Sequence, residues 1–427
     1  MYKKVNLLAL VLCGLTSYSA QSLTLNEAVE YTLSTNPEVQ AAVNQKKAIA
    51  FEIDGARSGY KPDISISAAV GKEKRTSPAT GNVEIDLDRQ ELAVQARQML
   101  FDGFATRSEV DRQSARYQSA IHSAQAISNN TALRATEVYL NVLKTAKLLD
   151  LARDSLWEHT NIYDQMVLRQ KQGVGSRADL DQIISRLALA NSNMVVAQNN
   201  FADAKSNYQR VIGLFPNVEA MLTPAQPPEF TATKDEAVKF ALEEHPTLKS
   251  ASADVTSANA QYEAAKAPYW PRLTLEADKR WDENVGLAGE DEDFIVSLRL
   301  TYDLYAGGAN KARKKQTAIL INESKDIRNN ARRQVVESMQ LSWNAFDALT
   351  TQLTFLERHA QAASRTKDAY AKQFNIGKRT LLDLLNTENE VLSARNSLIN
   401  AQFDRLFSLY RIRNANGTIL ESLNLTL

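Results

Sequence analysis

The chain has 427 residues, with 50 basic and 50 acidic side chains and therefore no formal net charge. A chain built to coat nucleic acid needs a basic surplus, which is absent. A single Cys excludes a disulfide scaffold and a Cys-based zinc site, and 15 Gly with 10 Pro, below average usage, favours long helices over a loop-rich or all-β protein.

The first predicted element is an export signal. Lys3 and Lys4 precede an apolar run from Val5 to Leu15, followed by Thr16, Ser17, Ser19 and Ala20. This succession of charged, apolar and small residues reads as a secretory signal peptide over 1–19, cleaved after Ser19. The run is too short for a spanning helix. Cys13 lies inside it, preceded by Leu12 where a lipoprotein signal needs a small residue. No later run of about 18 apolar residues follows, so an exported chain of this kind is periplasmic, secreted or an outer-membrane barrel.

The remainder reads as a duplication. Residues 26–42 (NEAVEYTLSTNPEVQAA) parallel 235–251 (DEAVKFALEEHPTLKSA), with Glu27 on Glu236 and Pro37 on Pro246. Tyr60-Lys61-Pro62 parallels Tyr269-Trp270-Pro271, and Leu100-Phe101-Asp102 parallels Thr301-Tyr302-Asp303. Residues 173–180 (GVGSRADL) parallel 377–384 (GKRTLLDL). The units are 20–223 and 231–427, joined by a Pro-rich linker at 224–230.

Each unit opens with a short helix, capped in the first unit by Thr24 or Asn26 with Glu27 in the first turn. Pro37 or Pro246 then opens a second helix, which stops before Pro62 or Pro271. Alternating segments follow. Ile64, Ile66, Ala68 and Val70 interleave with Ser65, Ser67 and Ala69, and Phe294, Val296, Leu298, Leu300 and Tyr302 interleave with Ile295, Ser297, Arg299, Thr301 and Asp303. With weaker patterns at 92–101 and 273–279, this is the period of outer-membrane barrel strands, in pairs at about 62–101 and 271–303. The polar segments 72–89 and 282–293 read as hairpin loops, and Glu290 to Asp293 as solvated loop acids rather than a calcium site.

Two stretches, 104–172 and 309–376, contain neither Gly nor Pro. As helices each would reach roughly 100 Å. Gly173 and Gly377 end them, and return helices at 176–212 and 378–416 complete two helical hairpins, 104–212 and 309–416. Four strands cannot close a barrel, and an open edge cannot sit in lipid, so several copies must pool their strands.

Together, the signal, the duplication, the strand pairs and the hairpins resemble the TolC family of outer-membrane factors over essentially the whole mature chain. The resemblance implies a mainly α fold with a membrane β-barrel part. Specifically, a homotrimer would form an outer-membrane barrel of about 12 strands, continued by a long periplasmic α-helical barrel. It implies a passive channel without cofactors, set in outer-membrane lipid. Docking of a periplasmic membrane-fusion (adaptor) protein and an inner-membrane ABC transporter, or alternatively an RND-type pump, would open it. In the family, polar links and acidic rings close the periplasmic entrance. Carried over by position, Arg379 is the gate arginine, Asp383 the first acidic ring and Asp179 the gate carboxylate of the first repeat. Asn386 takes the second ring position, which should weaken cation selectivity. Phe374 takes the place of a gate tyrosine, so a hydroxyl link to Asp179 cannot form and Arg379 with Asp179 is expected to hold more of the closed state.

The stretch 377–395 (GKRTLLDLLNTENEVLSAR) resembles secretion-type members, and the lipidated Cys of many efflux members is missing. Type I secretion of a large protein, an adhesin or toxin, is therefore expected, with multidrug efflux as the alternative. A periplasmic adaptor would carry one helical hairpin and no lipid-facing strands. A soluble coiled-coil protein would need sustained heptads. An enzyme lacks support: His122, His159, His245 and His359 show no metal or triad spacing and read as surface or capping residues, and no phosphate-binding loop occurs.

Overall fold

A computed structural model describes residues 23–227 and 233–425. The signal peptide with Cys13, and part of the 224–230 linker, lie outside the described residues. Helix α1 (Leu25–Thr35) opens on Thr24, whose hydroxyl accepts from the Glu27 amide while Glu27 accepts from the Thr24 amide at 2.7 Å. Asn36 caps α2 (Pro37–Ser58), with Pro37 in the first turn where a missing N–H costs nothing. The second half repeats this grammar: Thr233 and Glu236 box α5 (Lys234–Glu244), and His245 caps α6 (Pro246–Ala264). Burial lowers the pKa of His245, which favours the neutral ring whose Nδ1 accepts from the Thr247 amide at 3.2 Å.

Four strands follow the short helices in two hairpins: β1 (Asp63–Arg75) with β2 (Ile85–Phe101), and β3 (Arg272–Glu283) with β4 (Glu290–Thr301). They form one antiparallel sheet in the order β1-β2-β3-β4, so β1 and β4 are its open edges. The strands run further than their apolar alternation, leaving loops of only 76–84 and 284–289. Across β1 and β2 the extension is held by Lys72–Asp88 at 3.3 Å and Lys74–Asp86 at 3.6 Å, pairs that carry no hydrophobic period. Glu290 to Asp293 are accordingly strand residues, alternating between faces.

Register divides the sheet into two chemically different faces. Ile64, Ala96, Ala277 and Val296 stand in one row, Ile66, Val94, Lys279 and Phe294 in the next, and Leu275 faces Leu298 below them. Directly opposed residues share a face, so these rows make a largely apolar band, interrupted by Lys279 and Gln98, in which Ile66 is 72% exposed and Phe294 67% exposed. The opposite face carries Ser65, Gln95 and Asp278 in one row and Arg97 with Glu276 in another. There Glu276 accepts from Arg299 at 2.8 Å and pairs with Arg97 at 3.3 Å. A band this large on one face of a sheet is a site for lipid rather than water.

Helices α3 (Ala105–Lys171) and α7 (Ala309–Asn375) are each 67 residues long, and α4 (Arg177–Ile212) and α8 (Leu381–Ala415) run back along them. Helix α3 is flanked by α2 and α6 at its upper part and by α4 and α8 below, whereas α7 packs on α6, α5 and α8. The main core gathers Val29 of α1, Tyr139 of α3, Tyr208 and Ile212 of α4, and Tyr410 of α8, together with Ile419 of the short α9 (Ile419–Ser422). Burial pushes the Tyr208 and Tyr410 hydroxyls up to about 12. A second cluster joins α5 and α6 to α7 and α8 through Ala237, Leu248, Met339 and Ile412. No helix among the described residues is long and apolar enough to cross a membrane, which leaves the sheet's apolar band untouched as a lipid surface.

Candidate functional site at the hairpin tips

The two hairpins end side by side, far from the sheet. At the first tip Gly173 takes φ +77° and its amide donates to Gln170 O at 2.9 Å; at the second, Gly377 takes φ +73° and donates to Phe374 O at 3.0 Å. A side chain would strain both turns. Ser176 caps α4 by accepting from the Asp179 amide at 3.0 Å. Thr380 caps α8 in a reciprocal box, accepting from the Asp383 amide at 3.2 Å while its own hydroxyl donates to Asp383 at 2.9 Å. Hydrogen bonds from the Thr380 side chain and backbone, then the nearby Arg379 charge, hold Asp383 below the usual carboxylate range. Asp383 is thus a fixed negative charge at neutral pH.

Arg379 is held inside its own hairpin. Its Nε donates to Gln373 Oε1 at 3.0 Å, its guanidinium lies 4.1 Å from the Tyr370 ring centroid, and Asp383 stands 3.9 Å away. Within one chain Arg379 does not meet Asp179, which makes no ion pair among the described residues and sits in the first turn of α4. Asn386 is exposed on α8, one turn beyond Asp383 on the same side of the helix.

Phe374 has a role that its position alone did not reveal. It is 5% exposed and packs in a cluster with Ile162 and Met166 of α3, Ile183 of α4, and Leu381, Leu384 and Leu385 of α8. Four helices therefore meet in this cluster. Arg169 lies over it at 4.4 Å from the centroid and also donates to its carbonyl at 3.5 Å. Apolar burial of Phe374 and its cation–π contact with Arg169 join the two tips within the chain.

Behind the cluster lies a charged group that sequence reading did not single out. Lys367 of α7 reaches Glu158 of α3 at 2.9 Å and Glu388 of α8 at 3.2 Å. Burial opposes the Lys367 charge, but the hydrogen bond to Glu158 and the charge of Glu388 outweigh it and hold the ammonium above its ordinary pKa. Burial pushes Glu388 up, and Lys367 only partly offsets this. His159, expected at a surface, is instead 3% exposed beside this group, its Nδ1 2.7 Å from Ser155 O. The available signal was Glu388 itself, a carboxylate on the apolar stripe Leu381, Leu384, Leu385, Val391 of α8. Among the described residues no group of His, Cys, Asp and Glu is arranged to hold a metal.

Comparison with known proteins fits this geometry. The family model for outer membrane efflux proteins matches residues 28–214 and 237–418. The chain is 24% identical over 420 residues to the outer membrane efflux protein BepC of Brucella suis, covering 96% of this chain and 89% of that one. It is 25% identical over 430 residues to the alkaline protease secretion protein AprF of Pseudomonas aeruginosa, covering 94% and 86%. Its fold superposes on the outer membrane channel CmeC of Campylobacter jejuni with a TM-score of 0.83 at 14% identity, covering 94% and 90%. An apolar-banded sheet, two helical hairpins of this length and a match across both halves lead to one assignment: the chain belongs to the outer membrane efflux protein family, the TolC-type transport channels that sit in the outer membrane with a large helical portion in the periplasm.

Proposed function

We propose that the chain is the exit duct of a tripartite export system, and that three copies close it. The observation that carries this reading is a set of missing neighbours. Strand β2 pairs with both β1 and β3, while β4 pairs with β3 alone and leaves its outer edge open; the upper part of α3 is flanked by both α2 and α6, while among the described residues α7 has α6 but no counterpart of α2. A further copy supplies both, with its β1 against β4 and its α2 against α7. Two copies would make an eight-stranded barrel, whose interior side chains fill; three make a barrel of about 12 strands with a lumen. The Glu276 face then lines the lumen and the Ile66 face meets lipid.

In the closed duct the tips converge on the axis. Asp383 forms one ring of three carboxylates, Asn386 a neutral ring beside it, and Arg379 turns toward Asp179 of the adjacent copy. Gly173 and Gly377 keep the entrance turns tight, and Phe374 anchors the two tips of each copy. Docking of a periplasmic adaptor and an inner-membrane ABC transporter would separate the tips. The likeness to AprF, a protease secretion protein, and the secretion-type tip sequence support type I export of a large protein such as an adhesin or toxin. BepC, an efflux protein, supports the alternative of small-molecule efflux with an RND-type pump. Deleting the gene and comparing the secreted proteins with drug susceptibility decides between them. Loss of one large secreted protein with unchanged susceptibility is expected; the reverse result would transfer the assignment to efflux.

A further inference from the structure

Beneath the sheet, the start of α7 carries four basic residues within five positions, Lys311, Arg313, Lys314 and Lys315. Helix electrostatics do not account for them. A helix N-terminus favours acids, and α1, α2, α4, α5 and α8 each carry one in the first turn; α3, α6 and α7 carry none, and α7 alone of these three opens on a run of four cations. Lys311, Arg313 and Lys315 are exposed, and among the described residues none of the four makes an ion pair. Several acids at this level are engaged elsewhere: Asp102 accepts from Thr106, Glu109 from Arg112, and Glu52 and Glu263 pair with Arg116 and Lys266, while the exposed Asp303 and Asp111 pair with none of the four cations.

The same level is ringed by apolar and aromatic side chains facing solvent. Leu304 is 87% exposed and Tyr305 85% exposed, Trp270 and Tyr302 are about half exposed, and Lys314 lies 5.6 Å over the Tyr269 ring. Such residues, directly below an apolar band, mark the level of lipid headgroups. On α3, flanked on both sides, the equivalents of Lys311 and Lys315 are Arg107 and Asp111, and both remain exposed. The counterparts of Arg313 and Lys314, Glu109 and Val110, are half-buried, so the neighbour that would cover the free flank of α7 leaves Lys311 and Lys315 open and Arg313 and Lys314 partly covered at its edge.

We infer that Lys311, Arg313, Lys314 and Lys315 form a binding surface for anionic phospholipid headgroups in the periplasmic leaflet of the outer membrane. The aromatic belt sets the depth, and the four cations select for negative charge over zwitterionic headgroups. The inference rests on the outer-membrane location and the lipid-facing band, not on the export role of the duct.

The test uses the intact membrane-extracted protein in mixed micelles containing phosphatidylglycerol or phosphatidylcholine, with retained lipid counted by native mass spectrometry. The wild type should retain phosphatidylglycerol preferentially, and less so at high salt. Replacing all four residues with Gln should lower that preference by about fivefold per charge removed at low salt. Lys311→Arg/Lys314→Arg/Lys315→Arg, which keeps the charge and the fold, should retain it. Equal retention of the two lipids by the wild type, or undiminished selectivity in the Gln variant, overturns the inference, as does loss of selectivity in the Arg variant. If the Gln variant fails to fold, the salt dependence of the wild type and the Arg variant still decide.

Discussion

Phe374→Ala is the sharpest single perturbation of the tips. The ring is 5% exposed and belongs to the tip cluster that draws residues from α3, α4 and α8. Truncating a buried Phe to Ala costs about 3–5 kcal/mol through lost transfer energy and the cavity left behind. The stacked Arg169 guanidinium, 4.4 Å from the ring centroid, loses its partner as part of that cost. The cluster sits at the far end of two helical hairpins, and the sheet and the main core lie elsewhere, so the penalty falls on local opening rather than global unfolding. The local opening equilibrium should therefore rise by roughly 10²–10⁴-fold. Hydrogen exchange resolved by peptide reads this directly. Amides flanking Gly173 and Gly377 should lose protection, while those around Tyr139 and in the sheet should keep theirs, and resting conductance in planar bilayers should increase. Unchanged tip exchange, or an equal loss everywhere, would refute the anchoring role.

Asp383→Ala should reduce the cation preference of the channel in bilayers, and unchanged selectivity would remove Asp383 from the constriction. Arg379→Ala should raise resting conductance; an unaltered closed level would show that the Arg379 contacts do not hold the gate. Lys367→Met leaves Glu158 facing a buried Glu388, which should cost about 3–5 kcal/mol of tip stability at neutral pH. Burial raises the Glu388 pKa, so this carboxyl takes up a proton more readily folded than unfolded. Its contribution is then present at low pH and lost as pH rises through the raised value, and the Lys367→Met deficit should shrink on acidification; an equal deficit at pH 8 and pH 5 would contradict this. Val296→Arg, on the apolar face, should cost about 2–4 kcal/mol in the membrane, whereas Ser297→Arg on the opposite face should fold normally, as heat-dissociation midpoints will show.

Long-helix architecture was legible because it rests on local chemistry. Stretches without Gly or Pro, reciprocal caps such as Thr24 with Glu27, and Pro37 and Pro246 at first turns each act within a few residues. The central strands were legible through residues such as Ile64, Ile66, Val296 and Leu298, which must alternate if one face meets lipid. Their outer ends were not, because Lys72–Asp88 and Lys74–Asp86 hold the extension by cross-strand charge, and charge leaves no apolar period. At the tips, Gly173, Gly377, Asp179 and Asp383 could be placed from turn and cap chemistry. What each side chain touches could not. The hydrogen-bond and ring partners of Arg379 lie on the helix before the turn, and the Glu158–Lys367–Glu388 group joins residues from three helices brought together only by hairpin packing. Phe374 illustrates the same limit, since an aromatic residue near the end of α7 gives no sign of the four-helix cluster it joins.

A closed duct requires neighbouring copies to join their sheets, β4 of one against β1 of the next. Val94 pairs with Lys279 where the two halves of one chain meet. The equivalent residues on the open edges are Leu298, which faces Leu275 as Val94 faces Ile66, and Val70, which stands at the Lys279 position of β1. A chain carrying Leu298→Cys and Val70→Cys, oxidised in isolated outer membranes and run without reductant, should give crosslinked species that end at three copies. A ladder continuing beyond three, or no intermolecular crosslink in folded protein, would contradict the closed three-copy duct.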